Sequence, residues 1–259
     1  MSEVRTHHVV VNGHSMRVLE KGEGQKLAYL GGLAGVPRWS PFLDALAERF
    51  HVVCPSLPGF PGATGHEDLD NLTDWLAAML DLFDAAQITG ADVCASSVGA
   101  MLALEMAALS PGSVNRMALM APLGLYDEAV PVPHIWARKG SDMPALLCQD
   151  TEALARLQAA PDDGNPVEWN LVLARATAAG ARLLWPMCDL GLAKRLHRVT
   201  QPTFFVWGSA DAIVAPSYMA LFEKAVKGPT QGALISGAGH LIEVDAPAEA
   251  ARMVTRFLA

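Results

Sequence analysis

Apolar and polar positions along the chain change period in a regular order. His7 to Val11 and Ser15 to Glu20 flank Asn12-Gly13, a dipeptide that takes the positive φ angles of a tight hairpin turn, so two antiparallel strands are expected to open the chain. Lys26 to Leu30 predicts a third strand ending in Gly31-Gly32-Leu33-Ala34-Gly35. Taken by itself, that loop is equally a plain turn before a helix over Pro41 to Arg49 or a flexible loop whose N–H groups point into a cleft. A short strand over His51 to Cys54 meets the turn Pro55-Ser56-Leu57-Pro58-Gly59-Phe60-Pro61-Gly62, which continues neither helix nor strand.

From Leu72 the period becomes helical. Leu72, Trp75, Leu76, Met79, Leu80 and Phe83 share one face, and Thr73, Asp74, Asp81 and Asp84 the other. A strand then runs into Ser97, and Val98 to Leu109 is apolar nearly all round except for Glu105, the pattern of a helix deep in a core. Pro111-Gly112 stops it, and Asn115 to Met120 predicts another strand. The alternation breaks between Pro122 and about Leu196. Helical stretches over Pro144 to Ala159 and Val167 to Leu184 are expected there, separated by Pro131, Pro133, Pro161-Asp162-Asp163-Gly164 and Pro186. Trp136, Trp169, Trp185, Leu146, Leu147, Leu183 and Met187 in this region serve either helix packing or an apolar pocket.

Strands resume at Thr203 to Gly208, followed by Gly208-Ser209-Ala210-Asp211 and a helix over Pro216 to Val226. A last strand over Ala233 to Ser236 leads through Gly237-Ala238-Gly239-His240 to a helix with Asp245 as its cap and Pro247 in its first turn. Strands alternating with helices of this length define an α/β class with a mostly parallel sheet covered on both faces. In such sheets the chemistry lies beyond the strand C-termini. The expected division is a core of residues 1–122 and 197–259 with an all-helical cap, or lid, over 123–196.

Composition narrows the partners. With 51% apolar and 18% charged residues in 259, the chain is a globular one able to build a core without disulfides or metal. A net charge of -8 and dispersed basic residues argue against nucleic acid. There is no apolar signal segment and no run of about 18 apolar residues, which predicts a cytoplasmic protein with no membrane partner. Cys54, Cys94, Cys148 and Cys188 form no CxxC pair and are expected as buried thiols. No metal-ligand cluster and no dinucleotide or phosphate loop is visible, so no cofactor is expected. A small-molecule substrate is the expected partner, and a homodimer stays open.

Three residues stand at equivalent places: Ser97, Asp211 and His240 each follow the C-terminal end of a predicted parallel strand. Ala95-Ser96-Ser97-Val98-Gly99 approximates GxSxG, with Ala95 at the first glycine position. Each residue alone has a plain structural use, as helix cap, turn former or core histidine. Together, in the order Ser, Asp, His, they match a nucleophile, acid and base arrangement. Asp127 is the alternative acid.

On these motifs, with Gly208 to Asp211 and Pro216, Gly239-His240 and Pro58-Gly59, the sequence resembles the alpha/beta-hydrolase superfamily over nearly its whole length. It departs at Gly31, where the family's oxyanion loop carries His, and at Ser56, where an acidic residue usually stands. The resemblance implies that Ser97 attacks an acyl carbon, His240 moves the proton and Asp211 holds the imidazole. It also implies that the backbone N–H groups of Leu33 and Val98 receive the oxyanion, an interaction worth about 3 kcal/mol in the transition state. The implied activity is a cofactor-independent serine hydrolase acting on a small, partly apolar ester, lactone or related carbonyl compound, including carbon–carbon cleavage beside a ketone. A thioesterase or perhydrolase activity is compatible with the same residues. Haloalkane dehalogenase and epoxide hydrolase chemistry need a carboxylate in place of Ser97. A non-catalytic ligand-binding or scaffolding protein on the same fold is the alternative from another class.

Overall fold

The computed structural model describes residues 3–161, 164–185, 187 and 189–259; the turn expected at Asp162-Asp163, Pro186 and Cys188 lie outside the described residues. Its elements in chain order are β1 (Arg5–Val11), β2 (His14–Lys21), β3 (Lys26–Leu30), α1 (Pro41–Ala47), β4 (His51–Pro55), α2 (Leu72–Ala85), β5 (Asp92–Ser96), α3 (Ser97–Leu109) and β6 (Met117–Met120). After α4 (Met143–Leu147), α5 (Thr151–Gln158) and α6 (Pro166–Leu184) come β7 (Thr203–Gly208), α7 (Tyr218–Ala225), β8 (Thr230–Ile235), α8 (Ile242–Asp245) and α9 (Pro247–Leu258).

The eight strands form one sheet in the order β1-β2-β4-β3-β5-β6-β7-β8. The hairpin β1-β2 is antiparallel, as is β2-β4, and β4 to β8 pair in parallel through β3, β5, β6 and β7. The hairpin turn follows from its sequence: Asn12 and Gly13 have φ of 50° and 83°, the left-handed values that this turn requires. Helix α2 begins with a capping box in which Asn71 accepts from the Thr73 and Asp74 N–H groups and the Asp74 carboxylate reaches back to the Asn71 N–H.

Helix α3 lies at the centre, its residues from Ser97 to Ala108 all buried. Glu105 is fully buried within it and is matched by Arg195, whose Nε and an Nη reach the two carboxylate oxygens at 2.6 and 2.5 Å. This fork-to-fork pairing satisfies a charge that burial would otherwise penalise heavily.

Three expectations need correction. The helix expected over Pro144 to Ala159 is two helices, α4 and α5, because the N–H groups of Gln149 and Asp150 turn away to the Asp245 carboxylate and the Asp150 side chain caps Ala153. Asp245 is not the cap of α9, whose N-cap is Ala246 with no side-chain bond; its carboxylate is committed to the N–H groups of Gly239, Gln149 and Asp150. The last strand starts at Thr230 rather than Ala233, since the Pro229 carbonyl accepts from Thr203 and full pairing with β7 follows. Its first residues are polar or Gly at a sheet edge and show no apolar alternation.

Candidate active site

Ser97, Asp211 and His240 follow β5, β7 and β8 at one edge of the sheet, and the structure brings them together. The His240 Nε2 lies 2.7 Å from the Ser97 Oγ, and the His240 Nδ1 lies 2.9 Å from the Asp211 Oδ2. Ser97 and His240 are fully buried, and Asp211 nearly so.

Local backbone chemistry sets each residue. Ser97 has φ of 52°, a left-handed conformation that a non-glycine residue adopts only under constraint, here the abrupt passage from β5 into α3. Gly99 is required two residues on: a Cβ there would lie 2.6 Å from both the Leu30 and Gly31 carbonyl oxygens. Ala95 is fully buried in β5, so the departure at the first glycine position is accommodated there.

Asp211 uses its other oxygen, Oδ1, to accept from the N–H groups of Ile213 and Val214 at 2.8 and 2.9 Å, which fixes the carboxylate through its own turn. His240 is held from both sides: the Gly239 N–H donates to Asp245 at 2.6 Å, and the Leu241 N–H donates to the Leu147 carbonyl at 2.7 Å. Asp127 stands elsewhere. Its carboxylate caps Ala129 and its N–H donates to the Tyr218 hydroxyl, so the alternative acid is engaged in its own turn.

Leu33 lies on the loop after β3, and Val98 is the residue after Ser97. Among the described residues no acceptor takes either N–H. Sequence reasoning missed Arg17, whose guanidinium ties the loop after β3 to the Pro-Gly turn. It donates to the Pro37 carbonyl at 3.0 Å, to the Pro61 carbonyl at 2.9 Å and to the Val36 carbonyl. Ser56, at the position of the usual acid, still contributes a bond from its Oγ to the Pro61 carbonyl at 2.7 Å. A lone Arg on a hairpin strand carries no sequence signal of such a role.

A cavity of about 460 Å³ lies between Leu33 and the helical segment. Its lining mixes apolar residues such as Trp136, Leu147 and Leu173 with Arg138, Gln158 and Thr177, and it meets the site through Leu33 rather than through Ser97, Asp211 or His240. Of the residues left open between packing and pocket, Trp136 and Leu147 face it. Trp169 instead donates its Nε1 to the Gln158 carbonyl, Leu183 is buried, Leu146 packs against the core, and Met187 borders a separate small cavity with Leu184 and Leu190. Trp185 is 60% exposed and meets His134 edge-on.

The three described thiols, Cys54, Cys94 and Cys148, are all buried. Burial pushes Cys54 up to about 12 and Cys94 well above the usual thiol range. Cys148 is raised to about 12 by burial and then by Asp245, Asp150 and Glu243. Among the described residues no group of three His, Cys, Asp or Glu side chains is placed to hold a metal ion, and no helix is long and apolar enough to cross a membrane.

Comparison with known proteins agrees with this architecture. The model of the alpha/beta hydrolase family matches residues 26–253, and the chain belongs to that family. It is 21% identical to an epoxide hydrolase of Caballeronia sordidicola across 98% of this chain and 94% of that protein. Among solved structures, a serine hydrolase involved in carbazole degradation superposes with a TM-score of 0.78 at 22% identity, covering 99% of each chain. The 2-hydroxy-6-oxo-6-phenylhexa-2,4-dienoate hydrolase of Rhodococcus sp. strain RHA1 superposes with a TM-score of 0.77 at 17% identity, covering 100% of this chain and 99% of that one.

Proposed function

We propose that the protein is a serine hydrolase that cleaves a small, partly apolar ester, lactone or related carbonyl compound, with Ser97 as nucleophile, His240 as general base and then acid, and Asp211 as the group that orients the imidazole. The observation that carries this reading is the continuous chain from Ser97 Oγ through both nitrogens of His240 to Asp211. Ser97 Oγ attacks the carbonyl carbon as its proton passes to His240 Nε2, and the Leu33 and Val98 N–H groups stabilise the oxygen that becomes negative. His240 then protonates the leaving group. Water, deprotonated by the same nitrogen, releases the acid and restores Ser97.

Residues 123–196 act as a cap in this reading, and the cavity they line together with Leu33 and Ala34 holds the acyl or aryl part of the substrate. Its volume of about 460 Å³ suits a small molecule rather than a polymer. The structural likeness to the dienoate hydrolase brings carbon–carbon cleavage beside a ketone within the same proposal, since the same residues serve it. The likeness to an epoxide hydrolase carries less weight, because Ser97 stands where that chemistry needs a carboxylate to form an alkyl ester.

The test is hydrolysis of a p-nitrophenyl ester series of increasing acyl length by the native chain and by Ser97→Ala. Turnover that vanishes in the variant supports the reading. Equal release by both, or none by the native chain across esters, lactones and vinylogous diketones, turns the protein into a ligand-binding member of the fold.

A further inference from the structure

Beside the proposed triad lies a second polar group that the reaction as described does not use. Glu243, three residues after His240, is a partly buried acid flanked by the buried apolar residues Ile242 and Val244. The Tyr29 hydroxyl donates to its Oε1 at 3.3 Å, while its Oε2 has no partner among the described residues. Ser96, the residue immediately before the proposed nucleophile, is fully buried, and its Oγ likewise has no partner among the described residues.

Tyr29 of β3 stands opposite Cys94 of β5, so Ser96, two residues further on, lies on the face of the sheet from which Tyr29 reaches Glu243, although Ser96 and Glu243 make no hydrogen bond in this arrangement. Burial raises the carboxyl from its ordinary value against the opposing effects of its own N–H, Ser96, His240 and Tyr29.

The location gives the pair its meaning. A Cβ built on Gly32 would lie 3.1 Å from the Ser96 Oγ, 3.0 Å from the Ser97 Cβ and 3.2 Å from a Leu241 methyl. Ser96 Oγ therefore sits where the loop carrying Leu33, the turn carrying Ser97 and the segment carrying His240 converge. Two buried polar atoms at one junction without partners among the described residues each carry a desolvation penalty that a hydrogen bond between them would remove for both at once.

We propose that Glu243 and Ser96 are a positioning pair: a hydrogen bond between the Glu243 side chain and the Ser96 hydroxyl locks these three segments together and keeps Ser97 aimed for attack. The proposal rests on the serine hydrolase reading. Neither residue touches the reacting atoms. Glu243 acts on the segment of His240, Ser96 on the turn of Ser97, and Tyr29 anchors the carboxyl from β3.

The experiment measures covalent labelling of Ser97 by a fluorophosphonate in the native chain, E243Q, E243L, S96A and the double variant S96A/E243L, separating the maximal labelling rate from the half-saturating probe concentration. Thermal melts report folding alongside. The amide of E243Q still donates to Ser96 and accepts from Tyr29, so that variant labels within about threefold of the native rate, whereas E243L and S96A lose about tenfold or more in maximal rate at unchanged half-saturation. The double variant is no slower than the slower single one, as for two members of one unit.

Native labelling rates in folded E243L or S96A overturn the proposal, as does an E243Q rate as low as that of E243L, or losses that multiply in the double variant. If E243L fails to fold, S96A against the native chain decides alone. A native chain that takes no label overturns the serine hydrolase reading and the pair with it, whereas a labelled native chain with unaffected variants overturns only the pair.

Discussion

His240 and Ser97 are 143 positions apart in sequence, and their side chains meet at 2.7 Å without exposure to solvent. The contact joins the loop after β8 to the turn after β5, two strands that do not pair with one another. Asp211, after β7, completes the line from the other side of the imidazole.

Asp211 is expected to act through His240 alone. Asp211→Asn keeps an acceptor for the Ile213 and Val214 N–H groups, so the turn survives, but its amide places a donor where Nδ1–H needs an acceptor. Ester turnover by that variant should fall by about three to four orders of magnitude with little change in melting temperature. Near-native turnover would place the orienting acid elsewhere.

Gly99→Ala tests the turn rather than the chemistry. Its new methyl has two backbone oxygens at 2.6 Å, and backbone cannot step aside as a flexible side chain can. A loss of about 1–3 kcal/mol in urea unfolding is expected, with turnover reduced because the Leu33 loop is the part displaced. Unchanged stability and activity would mean that the two segments are not in contact.

The Glu105–Arg195 pair is expected to show its worth only when broken unevenly. Arg195→Met leaves a buried carboxylate without its partner and should cost about 3–5 kcal/mol. Combining it with Glu105→Leu should recover most of that loss, because the charge has gone with its counterion. Urea unfolding of the single and double variants measures both.

A pH effect on stability is expected at the sheet edge. Burial alone would raise the Glu20 carboxyl, but hydrogen bonds from Arg5 and His51 and the charges of Arg5 and His7 outweigh it and hold it below the usual range. A carboxylate depressed in the folded state contributes stability above its unfolded pKa and loses it as pH falls through the folded value. The stability advantage of the native chain over Glu20→Gln should therefore be full at neutral pH and shrink below the ordinary carboxylate range. A difference that is constant or grows on acidification would contradict this.

What the sequence made legible was local or ordered along the chain. The hairpin followed from Asn12-Gly13, helix α2 from the spacing of its apolar residues, α3 from a run apolar nearly all round, and the positions of Ser97, Asp211 and His240 from the turns that end β5, β7 and β8. What escaped depends on distant partners. The break between α4 and α5 is set by Asp245, about 96 positions away from the amides it accepts, so its sequence neighbourhood suggests only a helix cap. Arg17 holds the loop after β3 through backbone carbonyls, which leave no trace in residue identity. Glu243 had a faint signal, an acid inside Leu241-Ile242-Glu243-Val244, but an acid in a short helix is ordinarily solvated. Only the structure shows it partly buried and accepting from the Tyr29 hydroxyl.

The most direct measurement is the intact mass of the native chain and of Ser97→Ala after incubation with a fluorophosphonate, followed by peptide mapping of the adduct. It requires no knowledge of the natural substrate. One adduct on Ser97, absent from the variant, is the predicted result and establishes an activated nucleophile. No adduct on the folded native chain, or an adduct that persists in Ser97→Ala, would contradict the assignment of Ser97.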